Sequence, residues 1–551
     1  MKKRIIKIAL ASLLVVGLAP VMTSCVDETL NVDPKHPSVL PSENFLATGT
    51  YQFAYYTTTP SVNYNNYVFF VQNLSETTYN DETRYNLVTR NQPRNHFNRM
   101  YVYVLGNLRN AKEALPKEGF VPTEEANKLA TLEISEILVW ENLVNTFGNI
   151  PYSEALKGNL DDPNFTPKYD DAKTIYKDLI NRLDATIASI NPSVKGYDGD
   201  VIYQGDMNKW IKTANAIKLR LGLNLADTDP ALSKLVVESA AQSVYANSGE
   251  SFTFKYDTGT FTNPFFDNFV ASGRNDFVAS NTVINLMNEK NDPRLSPWFT
   301  ALHYALGSAT NSTINGTTTT LTVDLSDPVS GQPSIVVGDP IYSNGVLIGN
   351  IASISGNVVT IENALRTIDS GSTISYKDYY TGGVFGEKNP FARYSHLSND
   401  FFLVKNKPFE VISYTEVAFM LAEAAARGYN VGGSAADLYA AAITASFKDS
   451  GIAGEAAAYL AAHPYEQNTW KKSIGEQAYI ALYTKAYATW NFTRRLDYPV
   501  LNNPSNSLTT TIPYRMIYSD QEYTLNAANV RAAATAIGGD EVSTKLFWDV
   551  N

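Results

Sequence analysis

One thiol and three ring-rich clusters are the side chains of this sequence with chemistry to offer. Cys25, the only cysteine in 551 residues, stands behind Lys2, Lys3, Arg4 and Lys7, an almost wholly apolar run over residues 8–21, and Met22-Thr23-Ser24. Positive start, apolar middle and small residues before a cut site are the parts of a secretory leader. A thiol at that point predicts lipoprotein processing: the thiol is diacylated, the leader is cut off, and Cys25 becomes the lipidated N-terminus. The apolar run is too short for a good membrane span, which needs about 20 residues.

The first ring cluster, residues 51–97, carries Tyr55, Tyr56, Tyr64, Tyr67, Phe69, Phe70, Tyr79, Tyr85 and Phe97 among many Asn, Thr and Gln. Such a mixture suits a sugar. Aromatic planes bury its C–H faces, and amides, carboxylates and guanidinium groups pair the hydroxyls that would otherwise lose hydrogen bonds. For any single ring the alternative is packing onto the body of the protein. A second candidate is Phe261 to Phe277, where Gly273 offers a tight turn and Arg274 with Asp276 sets a donor and an acceptor beside rings. Those two charges also read as a surface ion pair. The third is Tyr379-Tyr380-Thr381-Gly382-Gly383-Val384-Phe385-Gly386, where glycines would let backbone approach a ligand. The expected ligand-binding residues are therefore Tyr64, Tyr67, Tyr79, Tyr85, Arg274, Asp276, Phe277, Tyr380 and Phe385.

Catalytic chemistry has little support. The five histidines, His36, His96, His303, His396 and His463, form no metal-ligand spacing, and no HExxH, GxSxG or phosphate-cradling Gly-Lys loop is present. Two positioned carboxylates would suffice for a glycosidase, but 55 acidic residues make such pairs uninformative without geometry. No catalytic residue and no cofactor is expected, and the sequence leaves a metal such as calcium open. The leader holds four of the 44 basic residues and no acid, so the chain from Cys25 onward carries 40 basic against 55 acidic side chains, a net charge of −15. That balance argues against nucleic acid as a partner.

The elements that must position these residues are mostly helices. Residues 26–42 are polar with three prolines and read as an extended tether. Apolar positions at three- and four-residue spacing predict helices over about 93–115, 123–147, 169–190, 206–226 and 230–245. Ser413 with Glu416 predicts a capping box opening a helix that Gly428 ends; Ser434 opens another, and a last one is expected over 474–491. Short connections make neighbours antiparallel pairs. From 300 to 377 the character changes to short β-prone runs punctuated by Asn344-Gly345, Ser355-Gly356 and Ser370-Gly371, an all-β insertion. The organisation expected is leader 1–24, lipidated tether 25–42, helical body 43–299 and 378–551, and β-rich insertion 300–377.

Taken in order, several stretches resemble the SusD/RagB family of surface lipoproteins with which Bacteroidetes capture nutrients. They are Cys25 with Leu30-Asn31-Val32-Asp33-Pro34; Ala271-Ser272-Gly273-Arg274-Asn275-Asp276; Asn291-Asp292-Pro293-Arg294-Leu295; and the helix from Ile412 to Gly428. Trp490-Asn491-Phe492-Thr493-Arg494-Arg495-Leu496-Asp497-Tyr498-Pro499, Ile512-Pro513-Tyr514-Arg515 and Leu546-Phe547-Trp548-Asp549 follow. The resemblance implies a mostly α body of tetratricopeptide-like helix pairs with irregular loops. It further implies an outer-membrane lipoprotein, held by its lipid and exposed at the cell surface, that binds oligosaccharide without cleaving it. The partner it implies is a SusC-like TonB-dependent transporter. Asp27 and Glu28 fit the acidic export signal of such lipoproteins, and the insertion departs from the usual family pattern. Capture of peptide or another non-glycan nutrient, a surface glycoside hydrolase, and an adhesive role for the insertion are the alternatives.

Overall fold

The computed structural model describes residues 40–158, 163–324, 332–362 and 368–550. Cys25, its leader and most of the tether lie outside the described residues, and so does the lipidation expectation.

Four antiparallel helix pairs dominate from Ser42 onward: Pro122–Phe147 with Ala172–Ser189, Met207–Asn224 with Pro230–Ala240, Tyr414–Ala426 with Ala435–Asp449, and Trp470–Ala481 with Ala486–Leu496. Local sequence starts and stops them. The Asp171 side chain accepts from the Thr174 amide at 2.9 Å, and Asp206, Asp229 and Ser434 cap the following helices alike. Gly428, at φ +82°, ends Tyr414–Ala426 with the Gly428 amide donating to the Ala425 carbonyl and that of Tyr429 to Ala424. The Ser413 hydroxyl accepts from the Glu416 amide at 3.1 Å, but the Glu416 carboxylate does not complete the expected capping box. It turns inward to Arg220, 2.7 Å away and buried like Glu416 itself.

Three expectations change. The helix expected over 93–115 contains a wider π turn, Arg99–Leu105, between Gln92–Asn98 and Gly106–Ala114. That expected over 474–491 is two helices, parted where Thr484 takes φ +72° and Lys485 reaches Glu410 at 2.6 Å. Ser42–Thr58, assigned no helix from sequence, is one; Leu46, Phe53, Ala54 and Tyr56 on it enter the core. Its rings alternate with Thr, Asn and Gly, which blurs the period.

The β-rich insertion contains a closed barrel of six antiparallel strands, in spatial order Val358–Glu362, Thr318–Asp324, Leu302–Asn315, Thr373–Tyr379, Pro340–Ser343 and Val346–Ser355. Asn344 and Gly345 both have positive φ, the primed-turn backbone that Asn-Gly selects. The barrel fills itself: Leu321, Val323, Ile341, Ile348, Ile361 and Ile374 form a core separate from that of the helices. At Gly307 a Cβ would come within 1.9 Å of the Asp324 carbonyl oxygen, so the tight crossing of the first two strands requires glycine there. Among the described residues no helix is long and apolar enough to cross a membrane.

Candidate functional site

A short two-stranded ribbon gathers two of the three sequence clusters. Leu74–Glu76 pairs antiparallel with Phe277–Ala279, placing Glu76 opposite Phe277. The ribbon continues upward as the Thr77 amide donates to the Asp276 carbonyl at 2.9 Å. On one side the chain leaves into the loop carrying Tyr79, Glu82 and Arg90. On the other it arrives from the π turn Asp267–Ala271 and from Gly273, at φ +66°. Between these loops lies a cavity of about 300 Å³, lined by Tyr79, Arg90, Glu76, Arg274, Asp276 and Phe277 and rimmed by Val62, Asn63 and Asn268.

Its groups differ in availability. Tyr79 is 55% exposed, with the Arg90 guanidinium 5.7 Å from its ring centroid, so one ring face is braced and the rest is free to stack. Arg274 Nε lies 2.7 Å from Asp276 Oδ2. The ion pair expected as an alternative therefore exists, yet Arg274 is open to solvent and keeps donors to offer. Glu76 forms the floor. Its Oε2 accepts from the Thr83 amide at 3.0 Å and the Thr83 hydroxyl at 2.9 Å. Burial first, then its hydrogen bond and charge repulsion with Glu82, push its carboxyl up to about 9. Glu82 is held from the other side, its Oε1 accepting from Arg90 Nε at 2.7 Å and Gln92 Nε2 at 3.0 Å.

The remaining expected residues stand elsewhere. Tyr64 is half-buried beside the rim, its ring 5.0 Å from the Arg99 guanidinium, which also faces Tyr56 and Tyr103. Tyr67 presents no face to a ligand. It is fully buried, packs on Tyr487 and Trp490, and its hydroxyl lies 2.7 Å from that of Thr146 and 3.1 Å from His96 Nε2. Tyr85 is also buried, its hydroxyl accepting from Gln72 Nε2 and its ring against Phe385, itself buried. Phe277 lines the cavity yet is mostly covered by Phe69 and Phe269. Tyr380 packs partly against the core, and its carbonyl accepts from Asn288. The glycines of the third cluster serve the scaffold. A Cβ on Gly382 would come within 2.4 Å of Ser280 and Asn281 backbone, and one on Gly383 within 2.6 Å of Val278. They admit the ribbon. Glu76, Glu82 and Arg90 escaped sequence reasoning, since acids and arginines are too common for spacing to single them out. Among the described residues no group of three or more His, Cys, Asp or Glu could hold a metal ion.

The fold and this loop-built cavity define a helical binding scaffold. The family SusD-like_2, described as starch-binding and associating with the outer membrane, matches residues 34–330 and 362–519, and the chain belongs to it. The gap at 331–361 falls within the barrel. Among solved structures, a chitin-binding protein is similar at 23% identity and TM-score 0.67, over 93% of this chain and 100% of that one. A chitin-binding SusD homolog from Flavobacterium johnsoniae has 20% identity and TM-score 0.66, over 93% and 99%. A SusD-like protein from Bacteroides thetaiotaomicron has 21% identity and TM-score 0.66, over 93% and 99%. These likenesses establish the fold. No curated protein matches the chain.

Proposed function

We propose that this protein binds an oligosaccharide nutrient at the cell surface, without cleaving it, and delivers it to a SusC-like TonB-dependent transporter. The lipidated Cys25 would hold it on the outer membrane. One observation carries the reading: Tyr79, exposed and braced by Arg90, stands over a cavity beside the solvent-facing Arg274–Asp276 pair. A ring plane next to a donor and an acceptor is what a sugar face flanked by hydroxyls needs. Membership of a family described as starch-binding, and the likeness to two chitin-binding proteins, support the same ligand class. Arg274, Asp276 and Phe277 belong to this proposed site with Tyr79.

The test is calorimetric titration with plant, host and microbial oligosaccharides, each sample checked afterwards for cleavage. Saturable heat with intact sugar is expected. Heat only with peptides would move the ligand to the non-glycan class, and cleaved sugar would make the protein an enzyme.

A further inference from the structure

A second cavity, of about 350 Å³, shares no lining residue with the first. Its volume lies within the range of small-ligand sites, about 300–1,000 Å³. Its walls are flat and apolar: Trp298, Phe401, Phe402, Phe409 and Tyr483. Trp298 stacks between Tyr483, with centroids 5.9 Å apart, and Phe401, 6.3 Å away, and its Nε1 donates to the Ser450 hydroxyl at 3.1 Å.

Four charges face this space, and three are accounted for. Lys485 Nζ sits 2.6 Å from Glu410 Oε2. Asp449 accepts from the hydroxyls of Ser248 and Thr415, both at 3.0 Å. Lys407 is different. Its amine lies 3.7 Å from the Phe401 ring centroid, yet among the described residues it has no carboxylate and no hydrogen-bond acceptor. It is half-buried, and its backbone is fixed beside the cavity: Asn263 Nδ2 donates to the Lys407 carbonyl at 2.7 Å and the Asn263 amide to that of Lys405 at 2.8 Å. Burial, then repulsion by Lys485, push the amine down to about 8, with Glu410 and Asp449 acting against this. Of the four charges at the cavity, Lys407 is the one without a direct partner among the described residues, and a ligand carboxylate would supply one.

We propose that this cavity is a second ligand site for a single sugar acid, its ring against the aromatic cluster and its carboxylate on Lys407. The inference does not rest on the Tyr79 site. Titrating the full chain with D-glucuronate and with D-glucose tests it. Glucuronate is expected to saturate and glucose to bind at least about tenfold more weakly, because only the acid forms a charge-assisted hydrogen bond with the amine. Lys407→Met should lose that preference, Lys407→Arg should keep part of it, and Tyr79→Ala should leave it unchanged. Equal binding of the two sugars, an unaffected Lys407→Met protein, or no saturation by glucuronate would overturn the assignment. Should the Met variant not fold, wild-type protein still decides. Glucuronate affinity that falls between about pH 7 and about pH 11, as the amine loses its proton, agrees with it, and affinity unchanged across that range refutes it.

Discussion

Tyr79 and Tyr67 lie twelve positions apart and look alike in sequence, but they predict opposite phenotypes. Tyr79→Ala removes an exposed ring and should weaken oligosaccharide binding by about 1–3 kcal/mol with the melting temperature nearly unchanged. Tyr67→Ala removes a fully buried ring from beneath Trp490 and should cost about 3–5 kcal/mol of stability. Calorimetry and thermal melts on both variants separate the roles, and unchanged affinity in Tyr79→Ala would move the site off this cavity. The raised carboxyl of Glu76 gives a further test. A group whose native pKa is raised contributes most at pH below its unfolded value near 4.5. That contribution is lost as pH climbs toward about 9. Glu76→Gln, whose amide can donate to Glu82 without titrating, should flatten the decline in urea midpoint between about pH 5 and about pH 8.5. Parallel slopes in the two proteins would show that the Glu76 carboxyl does not titrate in that range.

Among the elements, the barrel stands apart energetically. Its isoleucines and valines pack on one another, while short backbone contacts tie its base to the body, such as the Thr300 amide to the His396 carbonyl at 2.8 Å and the Phe299–Leu397 bridge. Excising 303–378 with a short Gly-Ser linker should leave the helical body folded and the Tyr79 cavity able to bind, checked by circular dichroism and titration. A folded protein that no longer binds would place the barrel in the ligand site, and loss of folding would show that the cores are coupled. The π turn Asp267–Ala271 is the other element with a role. It widens the backbone just before Gly273 and carries the chain round to Arg274 and Asp276.

Across the whole molecule, buried ion pairs join helices distant in the chain. Arg220 lies 3.1 Å from Glu141 and 2.7 Å from Glu416, all three buried, and Arg495 lies 2.8 Å from Glu423. Such pairs add little over apolar packing but are expensive to break. Glu416→Ala should therefore cost about 3–5 kcal/mol in urea unfolding, since it leaves Arg220 with half its counter-charge; a cost under about 1 kcal/mol would mean that Glu141 alone suffices. The stretches behind the family resemblance have this structural character. Asp292 and Arg294 pair fully buried at 2.6 Å, Arg494 lies 3.5 Å from the Trp490 ring centroid, and Trp548 Nε1 donates to Asn145. They identify the scaffold and say little about its ligand.

Local signals sufficed for most helices, their caps, the Asn-Gly turn and the β-rich insertion, because three-to-four periodicity, Asp and Ser caps and paired positive-φ residues act within a few positions. Arg274, Asp276 and Tyr79 were legible as chemistry, yet nothing local joined residues 79 and 274; the Glu76–Phe277 register did. Which rings were available was likewise undecided until packing assigned Tyr67, Tyr85 and Phe385 to the interior, since burial depends on partners such as Trp490 and Gln72 far away in the chain. The glycines at 382 and 383, read as letting backbone approach a ligand, instead let it approach Ser280, Asn281 and Val278. Sequence by itself determined the family, the helical body and a short list of candidate side chains. Only the tertiary structure decided which of them face solvent together, because a site is a coincidence of distant segments that no local pattern encodes.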